Sequence, residues 1–74
     1  MKIAMAKEIY QRGGLEFLEI VKEPMRDEWI IVLIKDENGE ILKNDKGLDR
    51  KFKTIDAAYK VAKDIGFKRA GVTG

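Results

Sequence analysis

Trp29-Ile30-Ile31-Val32-Leu33-Ile34 sets six apolar residues in a row, most of them β-branched. The run is too short for a buried helix, and branched side chains suit a pleated backbone, so it is expected to be a strand. No polar residue alternates within it. Such a strand belongs at the centre of a sheet, covered on both faces or covered in part by a partner.

Beyond Ile34 the chain is punctuated by turn chemistry. Asp36-Glu37-Asn38-Gly39-Glu40 contains Asn-Gly, whose residues both accept the left-handed backbone of a type I′ hairpin turn. Glu40-Ile41-Leu42-Lys43 is the expected return strand. Asn44-Asp45-Lys46-Gly47 gives a second turn, and Asp49–Lys53 a short basic strand or extended segment.

Thr54 then opens the one strong helix, expected over about residues 55–65. Its hydroxyl suits an N-cap, and Asp56 places negative charge in the first turn, where it complements the helix dipole. Ile55, Ala58, Tyr59, Ala62 and Ile65 form one apolar stripe, widened by Val61. Gly66 stands where a left-handed C-cap belongs. Residues 67–74 add a last edge strand or fray.

The first third is less determined. Ile3, Met5 and Ile9 alternate as in a strand, while Ala4, Ala6 and the Lys/Glu content suit a helix. Gly13-Gly14 between apolar runs is a hairpin signal, so residues 2–11 and 15–22 are expected to pair antiparallel. Within Leu15–Val21 the apolar face switches between Phe17 and Leu18. That predicts a bulge or a strand covered on both faces, with a short helix as the alternative. Pro24 closes the segment. The expected fold is α+β: an antiparallel meander of three to five strands with one amphipathic helix across it, as a single domain over residues 1–74.

Composition narrows the function. Cys, His and Ser are all missing, which removes thiolate and imidazole metal ligands, the common general base and the serine nucleophile. Thr54, Thr73, Tyr10 and Tyr59 are the remaining hydroxyls. A chain of 74 residues leaves little volume for a pocket. The expectation is a non-enzymatic protein with no cofactor, no metal and no small-molecule substrate. The acidic turn at 36–40 lacks the alternating ligands of a calcium loop and is expected to be a charged hairpin tip. Gly66–Gly71 comes after a helix, where a phosphate loop would open one. No apolar run approaches a membrane span, and charge at Lys7 interrupts any apolar leader, so the expected location is cytoplasmic.

Charge is uneven along the chain. Residues 1–37 carry six Lys/Arg against eight Asp/Glu, net −2; residues 38–74 carry nine against five, net +4. An anionic partner for the second half would meet Lys43, Lys46, Arg50, Lys51 and Lys53, with Lys60 and Lys63 on the helix and Lys68 and Arg69 beyond it. This group is the expected nucleic-acid-binding surface. Arg50, Asn38 and Asn44 are available for base contacts. Alternatively, Asp56–Lys60 is an ordinary i,i+4 pair and the other lysines are solvated. The apolar run offers a second possibility: Trp29, Ile31 and Leu33 as a homodimer interface through the sheet.

Trp29 with its aliphatic run to Leu33, Asp36-x-Asn38-Gly39, Arg50-x-Phe52-x-Thr54-Ile55-Asp56-Ala57-Ala58 and Ile65-Gly66-Phe67 together resemble small accessory proteins of bacterial plasmids and mobile elements, including partition- and stability-associated ones. These motifs span about half the chain and are structural: hairpin, cap, helix, C-cap. The strand–strand–strand–helix outline is also similar in topology to three-stranded-sheet DNA binders such as the arm-binding domains of phage integrases. The resemblance implies a bacterial, DNA-linked or regulatory role and fixes no site residue. The leading expectation is a DNA-binding or DNA-maintenance module; the rival is a homodimerising interaction module.

Overall fold

Two helices end on glycine, and both endings shape the fold. A computed structural model describes residues Met1–Gly74. The first helix, α1, spans Ile3–Gln11. Its C-terminus is closed by Gly13 at φ 76°, with the Gly13 N–H donating to Tyr10 O and the Gly14 N–H to Ile9 O, both at 2.9 Å. This is the Schellman pattern. Gly13-Gly14 is therefore a helix stop, and residues 3–11 are helix, contrary to the strand and hairpin expected over 2–11. Both structures use positive φ at glycine, so the dipeptide alone does not separate them. The apolar spacing does. Lys7 interrupts the alternate series, whereas Ala6 is buried and Ile3, Ile9 and Tyr10 pack beside it at helical spacing, leaving Met5 outside.

Strand β1 (Phe17–Lys22) pairs antiparallel with β2 (Trp29–Lys35), in register from Phe17 opposite Ile34 to Lys22 opposite Trp29. The pairing runs without a break, so the bulge expected between Phe17 and Leu18 is not formed. Leu15 lies before the strand, inside the core.

Strand β3 (Asn38–Ile41) returns antiparallel to β2 through a two-residue turn. The turn residues are Asp36 and Glu37, at φ 50° and 68°, and Lys35 pairs with Asn38. Asn38-Gly39 thus lies in the strand, two residues beyond its expected place. Centring the turn on Asn38-Gly39 would set Glu37 opposite Glu40 and carry Leu42 out beside Lys35. Instead the Leu42 N–H donates to Ile31 O at 2.9 Å and Leu42 is fully buried. Burying a leucine is favourable by roughly 1.5–3 kcal/mol, enough to offset much of the cost of left-handed backbone at two non-glycine residues. Glu16 supports the turn, its Oε1 accepting from the Asp36 N–H at 2.8 Å.

Helix α2 (Ile55–Ile65) is built as expected: Thr54 Oγ1 accepts from the Ala57 N–H at 3.0 Å, and Gly66 caps the end at φ 135°. The chain then adds β4 (Gly71–Thr73) beside β1, parallel to it. The sheet order is β3-β2-β1-β4. The architecture is α+β, with a mixed four-stranded sheet in place of a pure meander and two helices in place of one.

Both helices lie on the same side. Leu18, Ile20, Ile31, Leu33 and Leu42 form the floor of the core, and Ala58, Ala62 and Ile65 of α2 its roof. Small alanines at i and i+4 let α2 sit close on the strands. Helix α1 leans on α2: the Tyr10 and Phe67 rings meet at 4.6 Å, and Lys7 pairs with Asp64 at 3.1 Å.

Candidate functional site

Successive residues of a strand point to opposite faces of its sheet. With Leu18, Ile20, Ile31 and Leu33 turned toward α2, the residues between them turn away. The outer face therefore carries Phe17 and Val21 of β1, Ile30, Val32 and Ile34 of β2, and Ile41 of β3. None of the six belongs to the core or packs against it. Phe17 is 40% exposed, and the other five are half-buried. Glu19 is the one charged side chain within the β1–β2 part of this face; its carboxylate accepts from the Thr73 hydroxyl of β4 at 2.5 Å. At one margin Lys51 forms an ion pair with Glu23.

The interface expected from sequence is therefore on the wrong side of the strand. Ile31 and Leu33 are 0% and 1% exposed and serve the core. Trp29 is half-buried against that core. Its backbone exchanges hydrogen bonds with Phe52, at 2.7 and 2.9 Å, and Lys22 lies over its ring at 5.9 Å. Ile30, Val32 and Ile34 were missed because an unbroken apolar run has no phase.

The basic group is dispersed and partly neutralised. Lys43 pairs with Asp49, and Lys51 with Glu23. Lys46 is exposed in the 44–48 turn, where Asn44 Oδ1 accepts from the Lys46 and Leu48 N–H groups. Arg50 is half-buried with its guanidinium 5.4 Å from the Phe52 ring centre. Lys53 is exposed just before Thr54. Lys60 and Lys63 are exposed on α2, Lys63 standing 5.3 Å from the Tyr59 ring centre. The expected Asp56–Lys60 pair is absent, and Lys46, Arg50, Lys53, Lys60 and Lys63 have no carboxylate within ion-pair distance. Lys43 shares one depression with Lys51, beside Asn44, Leu48 and Asp49, and another with Arg50, beside Ile3, Asn44 and Asp45.

No group of three or more carboxylates gathers as a metal site would require, and no helix is long and apolar enough to cross a membrane. The shallow cavities are lined largely by turn residues, and none includes any of the six outer-face apolar residues. Compared with protein-family models, curated proteins and solved structures, the chain matches none.

Proposed function

We propose that this chain is a non-enzymatic protein-interaction module whose working surface is the outer face of its sheet. One observation carries the reading: Phe17, Val21, Ile30, Val32, Ile34 and Ile41 share a face that neither helix covers. Monomeric proteins rarely leave a contiguous apolar patch of several hundred Å² in water without a use for it. The absence of Cys, His and Ser supports the non-enzymatic part. A photo-crosslinking amino acid at position 32, introduced in the producing cell, tests it. A discrete covalent adduct is expected from position 32 and not from position 60 on α2. No adduct from position 32 overturns the reading.

DNA contact is a second reading, favoured by the five unpaired cations and by the resemblance to plasmid and mobile-element accessory proteins. In it, Lys46, Arg50, Lys53 and Lys60 neutralise phosphates, and the module serves a DNA-maintenance complex. Duplex affinity would then fall with salt at a log–log slope of about −3 to −4, for roughly four contacts. Arg50→Ala with Lys53→Ala would weaken binding and flatten that slope. No binding at low salt overturns this reading.

A further inference from the structure

We propose that Asn38-Gly39 is a self-modifying site, where the chain converts its own asparagine to aspartate and isoaspartate without an enzyme. The dipeptide reads as a turn signal, yet the turn lies at Asp36-Glu37 and the pair instead opens β3.

The attacking group is the Gly39 nitrogen, and the ladder leaves it free. Leu42 lies opposite Ile31 and donates to its carbonyl. Bonded and unbonded positions alternate along an antiparallel pair, so Asn38, Glu40 and Leu42 bond to β2 while Gly39, Ile41 and Lys43 turn outward. Met1 meets two of these from the far side: its ammonium donates to Ile41 O at 3.4 Å and its carbonyl accepts from the Lys43 N–H at 2.7 Å. No such bond reaches the Gly39 N–H. Glycine also has no Cβ to hinder the approach of a side chain to its nitrogen.

The Asn38 amide is equally accessible. It is exposed, and its only hydrogen bond is from Nδ2 to Asp36 O at 3.3 Å. Extended backbone holds Cγ away from the Gly39 nitrogen, so attack requires the Lys35–Asn38 rung to open. That rung is the last before the turn. Both turn residues hold positive φ without being glycine, and terminal rungs fray at little cost. Asn44, the other asparagine, is built differently. It is half-buried, its Oδ1 accepts from the Lys46 and Leu48 N–H groups, and Asp45 follows it.

The reaction balances within the chain and water. The Gly39 nitrogen loses its proton and bonds to Asn38 Cγ, closing a five-membered succinimide. The bond from Cγ to Nδ2 breaks, and Nδ2 takes a proton and leaves as ammonia. Water then opens the ring. Opening at Cγ gives aspartate, and opening at the main-chain carbonyl gives isoaspartate. The net change exchanges NH for O. Lys35 stands directly across from Asn38, exposed and without an ion pair, and its charge favours the carboxylate formed.

The two products differ in consequence. Aspartate keeps the backbone and gains a cross-strand partner in Lys35. Isoaspartate carries the main chain through an additional carbon between positions 38 and 39. The pairing of Gly39 to Ile41 and the burial of Leu42 depend on that spacing, so the isoaspartate form loses stability. The altered segment also borders the outer sheet face, through Gly39 opposite Ile34 and Ile41 opposite Val32.

Incubating the full chain at pH 8 and 37 °C for several weeks, with peptide mapping by mass spectrometry, tests the proposal. Asn38 is expected to gain the mass difference between O and NH, in two chromatographically separate forms. It should convert about tenfold faster than Asn44, and folding should slow it by less than about tenfold relative to the chain in 8 M urea. Asn38→Gln, which cannot close a five-membered ring, should abolish the change at that position. The separated isoaspartate form should melt below both the fresh chain and Asn38→Asp. An Asn38 that stays intact, converts no faster than Asn44, or is slowed more than tenfold by folding overturns the site. An isoaspartate form that melts with the fresh chain overturns its consequence for β3.

Discussion

Ile31 and Val32 are successive residues of one strand, and they face opposite environments. Ile31 is fully buried between the sheet and α2, while Val32 stands on the face that no helix covers. The backbone pleat imposes this split, and it assigns stability to one residue and contact to the other. Ile31→Ala should lower unfolding free energy by about 2–5 kcal/mol, since it opens a cavity in a closed core. Val32→Thr should stay within about 1 kcal/mol of wild type in dilute solution, because the hydroxyl reaches water. Urea denaturation at low micromolar concentration measures both; a larger loss at Val32 would reverse the assignment of faces.

Gly66 carries two constraints at once. Its φ is 135°, and a Cβ built there would lie 2.9 Å from the Tyr10 ring of α1. Gly66→Ala should therefore cost more than the roughly 1 kcal/mol usual for alanine at positive φ, about 2–3 kcal/mol in all. Adding Tyr10→Ala should give less than the sum of the two single losses, because the ring that the methyl group strikes is gone. Thermal unfolding of the four variants of this cycle provides the check.

Glu37 holds left-handed backbone at φ 68° and its side chain makes no hydrogen bond or ion pair. Such backbone costs a non-glycine residue roughly 1–2 kcal/mol. Glycine removes that cost and adds back about 0.5–1 kcal/mol of chain entropy. Glu37→Gly should stabilise the fold by about 0.5–1 kcal/mol, which raises Tm by about 3–6 °C in a domain of this size. Calorimetry reads it directly, and a lowered Tm would contradict the turn placed on Asp36-Glu37.

Asp49 and Glu23 withdraw two lysines from the basic group. Both pairs are half-buried but still reach solvent, where such pairs contribute little to folding, about 0–1 kcal/mol. Asp49→Asn should leave Tm within a few degrees of wild type and free Lys43. If the chain contacts DNA through this surface, the same change should raise duplex affinity several-fold at low salt and steepen the salt slope by about one. Fluorescence anisotropy across a salt series measures both, and an unchanged slope would place Lys43 outside the contact.

Helix α2 was legible because each of its parts is local: the Thr54 cap, the acid in the first turn, the apolar stripe and the terminal glycine lie within thirteen residues. Strand β2 was legible for the same reason. Helix α1 was not, because Ile3, Ala6 and Tyr10 show their role only against α2 and Phe67, more than fifty positions away. The hairpin was legible in kind but not in register. Asn38-Gly39 advertised the turn, and the burial of Leu42 moved it two residues. The basic segment was correctly counted, but its pairing with Glu23 links elements that sequence order keeps apart.

By itself, then, the amino-acid order determined which segments are strand β2 and helix α2, where they stop, and that the usual catalytic side chains are missing. Tertiary structure decided which face of β2 is sealed. Six apolar residues in a row satisfy either phase of a two-residue period equally, so nothing within 29–34 distinguishes Ile31 from Val32. The choice is made where α2 lands, with Ala58 and Ala62 in the same buried core as Ile31 and Leu33. Choosing one side for the core leaves the other side open, and that open side is the surface on which the proposed function rests.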